Sequence, residues 1–100
     1  MIRVLVVDDS ALMRRIISDL ISQEEDIIVI DTARNGEEAL ELVKKHNPDV
    51  VTMDIEMPVM DGLTALKRIM KEHPTKVLIL SAFAKKDAAA TITALENGAI

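Results

Sequence analysis

Cysteine, tryptophan and tyrosine are absent from the 100 residues, and Phe83 is the single aromatic. Lack of cysteine excludes a disulfide framework, a thiol nucleophile and a cysteine-based zinc site. Lack of aromatics means that any core is built from Val, Ile, Leu, Met and Ala, which together with Phe83 make up 49% of the chain. Basic residues are outnumbered, 12 Lys and Arg against 17 Asp and Glu, for a net charge of -5. That balance argues against nucleic acid or an anionic membrane as a direct partner, because both need clustered cations. The acidic excess is too small and too mixed with apolar residues to imply disorder. No apolar run approaches the roughly 20 residues of a membrane helix, and the N-terminus lacks a signal-peptide pattern. One hundred residues make one domain, 1–100, because halves of it would be near the lower limit of independent stability. The expectation is a soluble, cytoplasmic, single domain.

The order of elements is informative. Ile2 to Val7 reads as an apolar strand interrupted only by Arg3 and followed at once by Asp8 and Asp9. Ser10 caps a first helix in which Leu12, Ile16, Leu20 and Ile21 recur at helical spacing. A second strand spans Ile27 to Thr32. Asn35 then offers a cap, with Glu38 in capping-box position and Ala39, Leu40 and Val43 as the buried stripe. His46-Asn47-Pro48 stops that helix. Val50 to Met53 is a third strand ending in Asp54, and Ile55 to Asp61 reads as loop. A third helix runs from Gly62, with Leu63, Leu66, Ile69 and Met70 inward, until His73-Pro74. Val77 to Leu80 is a fourth strand. A fourth helix begins near Asp87, carries Ile92 and Leu95, and closes at Asn97-Gly98. No repeat, linker or low-complexity segment breaks this rhythm.

Strands alternating with helices of about a dozen residues indicate βαβ units and a parallel sheet. The runs LVV, VV and VLIL are continuously apolar, as expected when helices cover both faces. Right-handed crossovers put the C-terminal ends of all strands on one edge. Asp8, Asp9, Asp54 and Ser81 each fall at such an end. Open α/β sheets bind ligands there, where the strand order reverses.

If the first and third strands are neighbours, three carboxylates converge. Each repels the others unless a cation compensates. An all-oxygen cluster suits a hard ion, Mg²⁺ most naturally, and Mg²⁺ commonly bridges carboxylates to phosphate oxygens. The pattern thus points to metal-assisted phosphoryl chemistry with one carboxylate as nucleophile. Any one of these aspartates alone reads as a turn or cap residue. The adjacent pair plus a third at the neighbouring strand end reads as a site.

The segments VLVVDDSALMRRII, DVVTMDIEMPVMDG and VLILSA resemble the signature stretches of response-regulator receiver domains, in order and at suitable spacing along the whole chain. Within that family, DDSALMR and MDIEMPVMDG most resemble the regulatory domain of chemotaxis protein-glutamate methylesterases. The resemblance implies a doubly wound parallel sheet of the flavodoxin-like kind; the strand order 2-1-3-4-5 is carried over from known chemotaxis receivers. It implies that Asp54 accepts a phosphoryl group from a histidine kinase, and that Asp9, Asp54 and the backbone carbonyl of Glu56 ligate Mg²⁺. Asp8 would act through a metal-bound water, and Ser81 would be the switch hydroxyl, with small Ala82 admitting phosphate. The loop after the fourth strand and the fourth helix would report phosphorylation to an output domain, a methylesterase in the parent protein. This chain would then catalyse only its own phosphorylation and dephosphorylation, with Glu56 influencing attack of water on the acyl phosphate.

Receivers ordinarily continue into a fifth strand with a Lys-Pro pair and a fifth helix. Here the sequence stops at Gly98-Ala99-Ile100, so the expectation is a receiver truncated before both, with no phosphate-pairing lysine. Lys85 and Lys86 belong to the start of the fourth helix. Completion of the sheet by dimerisation or strand exchange is a further expectation. An alternative is a receiver-shaped interaction module, or a fragment, that no longer takes phosphate because the strand with the active-site lysine is absent. A haloacid-dehalogenase-type phosphatase would need Asp-x-Asp at the first strand rather than an adjacent pair. A nucleotide-binding Rossmann half would place a pyrophosphate against DDSA rather than glycine. His46 and His73 read as helix-end cations, Lys44 and Lys45 as solvated helix, and Met57 and Met60 as shaping the acceptor loop. Met13, Arg14 and Arg15 read as the exposed, kinase-facing start of the first helix.

Overall fold

The computed structural model describes residues 1–54 and 59–80. In chain order these are β1 (Ile2–Val7), α1 (Ala11–Ser22), β2 (Ile27–Ala33), α2 (Gly36–His46), β3 (Val50–Asp54), α3 (Gly62–Glu72) and β4 (Lys76–Leu80). Strand and helix boundaries agree with the sequence reading to within a residue or two. Glu56, Met57, Ser81, Ala82, Lys85, Lys86 and the expected fourth helix lie outside the described residues.

The strands pair in parallel in the order β2-β1-β3-β4, a flavodoxin-like receiver sheet. The chain leaves β1 toward β2 on one side and returns to β3 on the other, so the switch point lies between β1 and β3. Alternation along each strand divides the core into two layers. Val4, Val6, Val50 and Leu80 pack with Ile17, Ile21 and Ile27 on the α1 face. Leu5, Val7, Val51 and Met53 pack with Ala39, Leu40, Val43, Ala65 and Ile69 on the face of α2 and α3. Both faces of the central strands are therefore buried, which accounts for their unbroken apolar runs.

Arg3, the one charged residue inside β1, works at the opposite edge of the sheet from the aspartates. Its guanidinium donates to the carbonyl oxygens of His46 and Asn47 at 2.8 and 3.0 Å, satisfying groups left free where α2 ends. Asn47 ends that helix in the left-handed conformation, φ 49°, the role in which asparagine is tolerated. Asn35 accepts from the Glu38 N–H at 2.9 Å, while the Glu38 carboxylate reaches back one residue further than a standard capping box, to the N–H of Arg34.

Two helices turn differently from expectation. In α1, Leu12 is 67% and Ile16 39% exposed, whereas Ile17 and Ile21 are buried and Met13 packs against the core beside them. The apolar residues of α1 form adjacent stripes, and the one at 13, 17 and 21 meets the sheet. In α3, Leu63 and Met70 are half exposed, while Gly62, Ala65 and Ile69 are buried. Small residues line this contact because α2 and α3 approach closely. A Cβ placed on Gly36 would lie 2.8 Å from the Ala65 Cβ and 3.0 Å from the Met60 Cβ.

Polar contacts reinforce the same junction. Lys44 is not merely solvated: its Nζ donates to Glu72 Oε1 of α3 at 2.8 Å, and Arg68 donates to the other carboxylate oxygen at 3.0 Å. The Lys44 bond first, then Arg68, holds the Glu72 carboxyl below the usual range. The two histidines likewise have partners, His46 Nε2 at 3.0 Å from Asp31 Oδ2 and His73 Nε2 at 2.9 Å from Asn47 Oδ1.

Because the space at Gly36 is already filled by Ala65 and Met60, Gly36→Ala is expected to lower unfolding free energy by about 1–3 kcal/mol through overpacking. Urea denaturation reads this directly. An unchanged midpoint would mean that α2 and α3 separate at negligible cost.

Candidate functional site

The site is built by the register of two strands. Val7 of β1 pairs with Met53 of β3, so the residues that follow, Asp8 and Asp54, sit side by side at the C-terminal edge. Both continue the parity of Val4, Val6, Val50 and Thr52, which belong to the α1 face of the sheet. Asp9 follows as the chain turns toward α1. One ligand oxygen from each of Asp8, Asp9 and Asp54 lies within 4.8 Å of the others. The structure thus brings together the three aspartates singled out in the sequence.

Their surroundings differ. Asp8 is 1% exposed, Asp54 is half buried and Asp9 is exposed. The Asp8 N–H continues the sheet by donating to Ala33 O at 3.1 Å. Its side-chain Oδ1 accepts from the Ser10 N–H at 3.0 Å, an Asx-type turn that reverses the chain into α1. Ser10 Oγ then accepts from the Met13 N–H at 3.2 Å, as expected of the cap. The local sequence Asp-Asp-Ser therefore supplies both the acidic pair and the turn that presents it.

Arg14 departs from its expected place on the exposed side. It is half buried, and its guanidinium donates to the Asp8 carbonyl oxygen at 2.8 Å. Met13 is also turned inward, against the core. Arg15 alone of the three is solvent-facing, 3.9 Å from Asp19. Nothing in the helical pattern separates Arg14 from Arg15; the signal available was that Arg14 lies one turn after the Ser10 cap, within reach of the strand end.

Val59 has a φ of 70°, which is costly for a β-branched residue. Met60 packs against the α2–α3 core layer. Asp61 caps α3 by accepting from the Thr64 N–H at 2.8 Å, and that backbone bond holds its carboxyl below the ordinary range. The approach to α3 is thus fixed by a core methionine and a helix cap.

Three carboxylates this close are unfavourable without a cation. The donor set is all oxygen, with one member buried and one exposed, which fits a hard divalent ion held by few protein ligands and retaining water. Among the described residues there is no histidine or thiolate in the cluster to favour a softer metal. No helix of the described residues is long and apolar enough to cross a membrane.

Residues 4–100 match the family model of the response regulator receiver domain. The chain is 56% identical over 100 residues to a protein-glutamate methylesterase/protein-glutamine glutaminase of Oleidesulfovibrio alaskensis, and 52% identical over 99 residues to one from Methanococcus maripaludis. It covers 100% and 99% of itself in these matches but 27% of each relative, so it spans about a quarter of their length. Among solved structures, the response regulator domain of Thermotoga maritima CheB superposes with a TM-score of 0.80 at 51% identity, covering 100% of this chain and 75% of that one. CheY in the CheX-CheY-BeF3-Mg complex of Borrelia burgdorferi gives 0.75 at 38% identity, covering 97% and 72%. With its sheet order, its acidic switch point and these relatives taken together, the chain belongs to the response regulator receiver domains of two-component signalling, with the receivers of chemotaxis methylesterases among its relatives.

Proposed function

We propose that Asp54 is the phosphoacceptor and that Asp8 and Asp9 prepare it by holding Mg²⁺. The observation that carries this reading is the convergence of three carboxylates within 4.8 Å at the switch point. Asp9, Asp54 and the backbone carbonyl of Glu56 would ligate the ion, and Asp8 would act through a bound water. When bound, Mg²⁺ supplies the positive charge that lets an anionic donor approach an anionic nucleophile.

The donor is the phosphohistidine of a histidine kinase. A carboxylate oxygen of Asp54 attacks phosphorus, the P–N bond breaks, and the imidazole leaves with the electron pair and takes up a proton. The product is an acyl phosphate, a group that adds charge and acceptor oxygens to a site already rich in both. Ser81 follows β4 directly and donates its hydroxyl to a phosphoryl oxygen, drawing the subsequent loop toward the site. Half-buried Asp54 is open enough to be attacked, while buried Asp8 is better suited to holding solvent in place than to nucleophilic attack.

Similarity to methylesterases supports an output of that kind in the parent protein, under control of this domain and within a cytoplasmic chemotaxis pathway. The chain itself carries out phosphoryl uptake and loss and no ester hydrolysis.

Intact mass after incubation with a small-molecule phosphodonor is the test. A phosphoryl adduct should form with Mg²⁺, disappear with chelator, and be absent from Asp54→Ala. A folded chain that binds Mg²⁺ yet gains no mass would instead identify a receiver-shaped interaction module. Glu56, two residues beyond the acceptor, is proposed to influence water attack on the acyl phosphate. Glu56→Ala is expected to change the dephosphorylation rate several-fold, and an unchanged rate by the same mass assay would remove that role.

A further inference from the structure

Asp9 is the exposed member of the acidic cluster, and among the described residues no hydrogen bond holds its side chain. Its position has to come from the backbone. The peptide unit joining Asp8 to Asp9 is planar, so whatever fixes the Asp8 carbonyl oxygen also fixes the N–H of Asp9 and the direction in which its Cα leaves. In this structure that carbonyl oxygen accepts from Arg14 at 2.8 Å.

The rest of the turn leaves this peptide as the loose link. Asp8 is held by its own N–H to Ala33 O and by its carboxylate to the Ser10 N–H. Ser10 is held by its cap bond and by its carbonyl, which accepts from the Arg14 N–H at 2.9 Å. Arg14 therefore grips the turn at both ends, through its main chain at Ser10 and its side chain at Asp8. A guanidinium suits this task because it is always charged, planar and stiff at its donor end.

From this geometry we infer that Arg14 is a positioning residue for the metal site: it sets the Asp8–Asp9 peptide so that Asp9 faces Asp54. The inference rests on reading the cluster as a Mg²⁺ site. It makes a prediction opposite in sign to that of charge alone. A cation beside the cluster disfavours Mg²⁺ by repulsion, so if charge were its whole effect, removing Arg14 would tighten binding. If Arg14 holds the peptide, removing it weakens binding despite the gain in negative potential.

Mg²⁺ affinity of the full chain, measured by calorimetric titration, separates the two. Arg14→Ala should bind Mg²⁺ about tenfold more weakly, as expected for loss of a charge-assisted hydrogen bond that organises the site. Arg15→Ala removes the same charge from the neighbouring, solvent-facing position, and should leave affinity unchanged or slightly tighter. Arg14→Lys, which keeps the charge but not the fork, should fall between wild type and Arg14→Ala. Far-UV circular dichroism checks that each variant is folded. Should Arg14→Ala unfold, Arg14→Gln replaces it, being neutral with a shorter donor and expected to weaken binding. Equal or tighter binding in the folded neutral variant overturns the inference, as does an equal loss in Arg15→Ala. A wild-type chain without Mg²⁺ affinity removes the inference together with the metal reading. Phosphoryl uptake does not enter this measurement, so its failure would tell against the role of Asp54 and not against Arg14.

Discussion

Parallel pairing of β1 with β3, in the register that sets Val7 opposite Met53, is the constraint on which the remaining features depend. Side chains alternate between the two faces, so a slip of one residue would turn Val4 and Val6 into the α2–α3 layer and carry Asp8 away from the face it shares with Asp54. Burial fixes the register. Both strands are covered on both sides, by Ile17 and Ile21 of α1 on one and by Val43, Ala65 and Ile69 of α2 and α3 on the other. Hydrophobic layers deep in the sheet thereby determine the spacing of carboxylates at its edge.

The two ends of β1 differ in role. At one end of β1, Arg3 donates to the carbonyls that terminate α2; at the other, Asp8 and Asp9 open the site. The fold gathers Asp8, Asp9 and Asp54 at the switch point and places a cation, Arg14, where it bonds to main chain beside the cluster. That arrangement restrains the turn that presents Asp9. The approach to α3 is restrained differently, by Met60 in the core and by the Asp61 cap.

Much of this was legible because it is encoded locally or by simple alternation. Apolar runs marked β1, β3 and β4, Asp and Ser marked the turn into α1, and Asn35 and Asn47 marked the two ends of α2. Parallel topology put Asp8, Asp9 and Asp54 at one edge, and their convergence further required β1 beside β3, an order carried over from the family resemblance. The helix faces were harder. In α1, Leu12 and Ile16 compete with Met13 and Ile17 for the same periodic signal, and only the sheet decides between stripes about 100° apart. In α3, the buried contact is made by Gly62 and Ala65, which carry little hydrophobic signal, while larger Leu63 and Met70 are half exposed. Lys44 with Glu72 is a tertiary pair that no helical spacing announces. Arg14 and Arg15 are adjacent and chemically identical; their division into an inward and an outward residue depends on where β1 ends.

The most direct test of the account is the location of a bound divalent ion. Mn²⁺ substitutes for Mg²⁺ at oxygen sites, and its unpaired electrons broaden nearby amide signals. Titrated into ¹⁵N-labelled chain at substoichiometric levels, it should broaden residues 7–10 and 53–54 first and leave Ile2, Arg3 and Val50, at the opposite end of β1 and β3, sharp. Broadening centred instead on the surface acids Glu37, Glu38 and Glu41 of α2, or spread evenly over the exposed carboxylates, would contradict it.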